Sequence, residues 1–175
     1  MMPPPLPSRR RQILLCAIVL VVLGGLALRG APVSLADIRA SLLRFEGYTL
    51  TPYRDGPAYS VGVGHNLTAN GQKARHYTPI EVEAFLLRDV SWSIDCCRSG
   101  VAGFDDLPPP IQLAVIHVAF GCGRVGFHRF YAFRSALSRR SYPQAARQLA
   151  ASRWASQVSP ARRDWALTAL LTPQL

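Results

Sequence analysis

Phe45-Glu46-Gly47, then Tyr53-Arg54-Asp55, then Tyr59-Ser60-Val61-Gly62-Val63-Gly64-His65: these three blocks set both the architecture and the chemistry to expect. One carboxyl group follows an aromatic residue. A second lies nine positions on, in a turn, and a hydroxyl comes five positions later. Splitting a glycosidic bond needs two carboxyls, one protonated to assist the leaving oxygen and one ionised on the other side of the sugar. An apolar setting favours the neutral form of a carboxyl and a polar turn favours its charged form, so the two neighbourhoods suit the two roles. Two acids this close are common in any sequence. The whole string is far more specific.

Just upstream, Ser34 or Asp37 caps a helix through Ile38, Leu42, Leu43 and Phe45, stopped at Glu46-Gly47. From Tyr48 to His65, aromatic and β-branched residues alternate with Pro52, Asp55-Gly56-Pro57 and further glycines, which predicts a small irregular antiparallel sheet with tight turns. Downstream, Thr78-Pro79-Ile80-Glu81 is a capping box with Pro at the first helical position, opening a helix to about Cys97. A second helix, from Asp106-Leu107-Pro108 through Phe120, is apolar on most faces and is interrupted by Gly121, Gly123 and Gly126. Shorter helices are expected over 127–137, 142–151 and 159–171. The fold class is α+β, a small N-terminal sheet with a mostly helical remainder. No internal repeat is visible.

The N-terminus reads as a membrane address, an apolar helix preceding the fold. Ser8-Arg9-Arg10-Arg11 leads into an uncharged run from Gln12 to Leu28, followed by Arg29. One reading is a cleaved secretory signal, with Ser34-Leu35-Ala36 as a peptidase site. The other is an uncleaved anchor in the inner membrane through residues 12–28, its arginines on the cytoplasmic side. Ile13 to Leu28 spans roughly 24 Å as a helix, at about 1.5 Å per residue, against a bilayer core of about 30 Å. Ala17, Gly24, Gly25 and Ala27 weaken the run further. The comparison favours an anchor held poorly enough to leave the bilayer. On either reading the remainder of the chain is exported to the periplasm. Residues 1–30 form the basic segment and signal or anchor helix, and residues 31–175 one domain large enough to bury its own core.

The net charge is +10; from Gly30 onward 16 basic and 10 acidic side chains leave +6. Such a surface suits an anionic polymer: nucleic acid, teichoic acid, anionic lipid or peptidoglycan. Nucleic acid is set aside as a partner because the arginines are scattered, without zinc-finger spacing or an RNA-binding aromatic motif. Cys96, Cys97 and Cys122 face an oxidising compartment, and Cys16 lies in the apolar run. Adjacent Cys96 and Cys97 pair poorly with each other, leaving one of them with Cys122 as the plausible bridge. The competing reading is that all are small buried apolar residues.

These residues resemble the phage-type lysozymes, the muramidase endolysins, over about Ser34 to Leu171. The likeness is carried by Glu46-Gly47 to His65, the Glu81-to-Asp89 helix, Phe120 to Phe127, and Ser152-Arg153-Trp154 with Pro160-Ala161-Arg162. It implies a lysozyme-like fold and cleavage of the β-1,4 bond between N-acetylmuramic acid and N-acetylglucosamine in peptidoglycan. It also implies host-wall lysis by a monomer. By that likeness Glu46 is the general acid and Asp55 the carboxylate that activates water or stabilises the cationic sugar. Ser60 stands where the family usually has Thr, and one residue sooner after Asp55 than in the T-even phage enzyme. Ser keeps the hydroxyl but loses the methyl that restricts the rotamer. A hydroxyl placed to hold water favours the inverting arrangement of carboxyls, roughly 6.5–9.5 Å apart, over the retaining one at about 5–5.5 Å. His65 and Asp89 resemble a structural ion pair of the family, and Arg162 the cation near the catalytic Glu.

Elsewhere the expectations are structural. His117 lies on an apolar helix and reads as a satisfied core histidine. His76 and His128 have no partner at metal spacing, so neither a metal nor a cofactor is expected. Ser60 lacks a nucleophile-elbow context, which argues against serine hydrolysis. Trp154 and Trp165 read as core more than as sugar platforms. Two other functions fit the same residues: a catalytically silent wall-binding or membrane-structural protein, and a transglycosylase that cleaves the bond without water.

Overall fold

A computed structural model of the chain describes residues 33–172. The basic segment, the apolar run 12–28 with Cys16, and the boundary at residue 30 lie outside the described residues.

Helix α1 (Leu35–Glu46) starts at Ser34, whose hydroxyl accepts from the Asp37 backbone N–H while Asp37 reaches back, closing a capping box. The two candidate caps thus act together: Ser34 is the cap and Asp37 its return partner. Gly47, at φ 74°, ends the helix with its N–H on the Leu43 carbonyl. The chain then forms β1 (Thr49–Asp55), a two-residue turn at Gly56-Pro57, β2 (Ala58–Gly62) and β3 (His65–Asn66). The sheet is antiparallel in the order β1-β2-β3.

The rest of the described chain is helical. Helix α2 (Pro79–Gly100) has the expected Thr78/Glu81 capping box with Pro at its first turn. It runs three residues past Cys97, since nothing before Gly100 breaks the pattern. Helix α3 (Pro109–Arg129) continues past Phe120, because Gly121 and Gly126 stay helical and only Gly123 (φ 66°, ψ 171°) leaves the helical region, as a kink. The helix expected over 127–137 therefore starts later, as α4 (Tyr131–Ser138). Helix α5 (Tyr142–Ala150) matches its expected span. A five-residue helix, α6 (Arg153–Gln157), was not expected; Ser152 caps it through the Ala155 N–H. Helix α7 (Pro160–Leu171) again lies where the sequence puts it.

Two apolar clusters hold these elements. The larger lies among the helices and includes Ile38 and Leu42 of α1, Ile111, Val115 and Ile116 of α3, and Leu149 and Leu170. The smaller, Val61, Leu67, Tyr77 and Val82, seals the sheet against α2. Among the described residues only α3 is long and apolar enough to cross a bilayer (mean hydropathy 1.3), and half of that window is buried inside the fold. Its hydrophobicity is that of a core helix. Cys96 and Cys97 are buried, Cys122 is half-buried, and all three are free thiols. The bridge to Cys122 is not formed. Burial raises the thiol pKa of Cys122 to about 11 and that of Cys97 well above its ordinary value, as expected of inert apolar cysteines.

Candidate active site

Glu46 is placed by the last turn of α1, whose apolar face (Ile38, Leu42) is buried in the helical core. Its side chain is 23% exposed and receives a charge-assisted hydrogen bond from Arg162 Nη1. Arg162 sits in the first turn of α7, 5% exposed, and its other terminal nitrogen donates to the His117 carbonyl at 3.1 Å. Its guanidinium also lies 5.5 Å from the Trp154 ring centroid. Burial lowers the Arg162 pKa and the Glu46 carboxylate opposes that shift, so the cation is held by its partner. The family resemblance implies an Arg near the acid. It did not foresee that a main-chain carbonyl and an indole fix that Arg.

Asp55 and Ser60 come from the hairpin. In the register, Asp55 faces Ala58 and Tyr53 faces Ser60. Directly opposed residues of antiparallel strands project to the same side, so Tyr53, Asp55 and Ser60 share one face. Asp55 is exposed at the hairpin end, whereas Ser60 is buried and its Oγ has no hydrogen-bond partner. The Tyr53 phenol is pushed up from its ordinary pKa by burial, then by the Asp55 and Glu46 carboxylates.

Ser60 also pairs with Asn66 of β3, and Asn66 lines a groove of about 500 Å³ with Gly64, Trp92, Phe120 and Arg124. That volume is in the range of small-molecule clefts, about 300–1,000 Å³. His65 and Asp89 edge the same groove. Their pairing is direct: His65 Nδ1 donates to Asp89 Oδ2 at 2.6 Å, since a carboxylate only accepts. His65 Nε2 lies 2.7 Å from Gln72 Oε1 and 3.1 Å from Arg88 Nη2, and the ring stacks on Phe85 at 4.4 Å. Of these neighbours only Asp89 was read from the sequence; Gln72, Arg88 and Phe85 carry no motif. The structure thus joins Glu46 to Arg162 and His65 to Asp89, and sets Asp55 and Ser60 on a common face.

His117 departs from its reading as a satisfied core histidine. It is fully buried, its Nε2 is 2.8 Å from Ser41 Oγ, and its Nδ1 has no partner. Burial, and then the Arg162 charge, pull its pKa down to about 3. A histidine amid Leu113–Phe120 was the signal available in the sequence. Trp154 and Trp165 do pack in or against the core, as expected, and both also bear on Arg162 or its surroundings.

A short antiparallel sheet followed by helices, with an acid at the end of the first described helix, defines a lysozyme-like α+β protein. A family model described as Phage lysozyme matches residues 43–165. The chain belongs to that family, and at the family's level it is a lysozyme-like peptidoglycan hydrolase of the glycosidase type. No curated protein matches the chain.

Proposed function

We propose that this protein hydrolyses the β-1,4 bond between N-acetylmuramic acid and N-acetylglucosamine, with Glu46 as general acid. The observation that carries the reading is the placement of Glu46. It is partly exposed, at the C-terminal end of α1 just before β1, and held by a buried arginine. Glu46 protonates the leaving oxygen. Asp55, on the hairpin end, activates water on the opposite face of the ring or stabilises the cationic sugar. Ser60 supplies the hydroxyl that the family likeness assigns to that water, which favours inversion. The His65–Asp89 pair keeps β3 against α2. The enzyme acts as a monomer.

The test uses the full chain in mild detergent on purified peptidoglycan. Wild type should release reducing sugar, and Glu46→Gln should release none. Products carrying the mass of one added water support hydrolysis; anhydro products would assign a transglycosylase. Wall binding without bond cleavage would reject the enzymatic reading.

The domain acts on the host wall from the periplasm, tethered to the inner membrane by residues 12–28. The support is the sequence comparison: a run shorter than the bilayer core and weakened by two glycines. Release of this weak anchor frees the enzyme and times lysis. Inserting four Leu between Ala17 and Leu28 should retain the protein in the membrane and delay lysis; unchanged timing would reject the control.

A further inference from the structure

His117 touches both helices that carry the Glu46–Arg162 pair. Its ring meets Phe45, the residue before Glu46, edge-on at 5.8 Å between centroids. It meets Trp165, three residues after Arg162 on α7, at 4.8 Å. Phe45 and Trp165 also touch each other at 5.3 Å. Its main-chain carbonyl receives Arg162 Nη2, and its Nε2 bonds Ser41, a little over one turn before Glu46 on α1. Ser41 Oγ also lies 2.9 Å from the Ile38 carbonyl. A hydroxyl has one proton, and a carbonyl can only accept it, so Ser41 donates to Ile38 and His117 Nε2–H donates to Ser41. That tautomer leaves Nδ1 as a bare acceptor, in keeping with its lack of a partner.

We propose that His117 is a positioning residue for the catalytic acid: its bond to Ser41 sets α1, and its ring and carbonyl set α7, so that Glu46 and Arg162 meet. The inference rests on the assignment of Glu46 as the acid. A histidine that merely filled the core would need neither the directed bond to Ser41 nor contact with both helices. Displacement of an acid by a fraction of an ångström costs turnover more than binding.

Ser41→Ala, His117→Phe, His117→Gln and the Ser41→Ala/His117→Phe double variant test this in the full-length protein. Ser41→Ala and His117→Phe should each lower kcat on peptidoglycan about tenfold, with KM changed by less than about twofold. The double variant should be no worse than the poorer single one, because both remove one bond. His117→Gln, which retains an N–H donor, should recover most of the loss. In nitrogen NMR the Arg162 guanidinium, slow to rotate in wild type, should rotate faster in Ser41→Ala. Ser41→Ala with wild-type kcat and an unchanged Arg162 signal would overturn the proposal, as would a loss confined to KM. If His117→Phe does not fold, Ser41→Ala and the Arg162 signal decide. If wild type cleaves nothing, the functional reading fails, and the Arg162 signal alone judges the positioning.

Discussion

Glu46 and Arg162 stand 116 positions apart in the chain and meet side chain to side chain, the carboxylate at the end of α1 and the guanidinium at the start of α7. Arg162 is the more deeply buried partner, and its second donor is taken by the His117 carbonyl. The pair therefore joins the first and last described helices.

Removing the cation should cost stability as well as turnover. Arg162→Ala leaves the His117 carbonyl and Glu46 without their donor, and a loss of about 3 kcal/mol is expected in urea unfolding. Arg162→Lys keeps the charge but not the two-pronged donation, and about 1–2 kcal/mol should be lost. Equal stability of Arg162→Lys and wild type would show that the His117 contact contributes little.

Ser60 should separate stability from activity. Its Oγ is buried without a protein partner, so Ser60→Ala removes an unsatisfied hydroxyl and should leave stability unchanged or raised, by up to about 1 kcal/mol. On the proposed role of Ser60, turnover of the same variant should fall about tenfold or more. Ser60→Thr should keep turnover, since it restores a restricted hydroxyl. A destabilised, fully active Ser60→Ala enzyme would contradict both parts.

Gly62 is required by position. Its φ is 67°, and a Cβ there would stand 2.6 Å from Val82 Cγ1. Gly62→Ala therefore combines left-handed backbone strain with a clash where β2 packs on α2. A destabilisation of about 2–3 kcal/mol is expected, read by thermal unfolding, with the sheet opening before the helices in amide exchange.

The pH dependence of stability should carry the signature of His117. Its folded pKa is about 3, against an ordinary 6.5. The unfolded chain then binds the proton that the folded one refuses, so stability is full above about pH 6.5 and falls as the pH drops toward 3. The slope approaches about 1.4 kcal/mol per pH unit. His117→Gln should flatten the curve in that window, measured by denaturant titration at successive pH values. An unchanged curve would assign the acid sensitivity to other groups.

Much of the fold was legible because it is written in adjacent residues. Ser34 with Asp37 and Thr78 with Glu81 satisfy helix ends within three positions, and the hairpin closes over two residues between Asp55 and Ala58. The long α3 was misjudged because Gly121, Gly123 and Gly126 look alike in sequence, yet packing keeps two of them helical. The short α6 was missed because five residues carry little periodicity. The possible bridge to Cys122 failed for a related reason: compartment and count permit a disulfide, but burial of each thiol depends on which helices enclose it.

Neighbouring residues alone were enough for the α+β class, the helix caps, the tight turn after Asp55 and the family likeness; the register that puts Asp55 and Ser60 on one side came from the structure. Packing of the whole chain was needed to bring Arg162 to Glu46 and to bond Ser41 to His117 across 76 positions. It was needed as well to give His65 the neighbours Gln72 and Arg88 besides Asp89. Caps and turns satisfy backbone groups locally, so they can be read from a few positions. A buried charge or imidazole finds its partner only when packed helices bring distant segments together and exclude water.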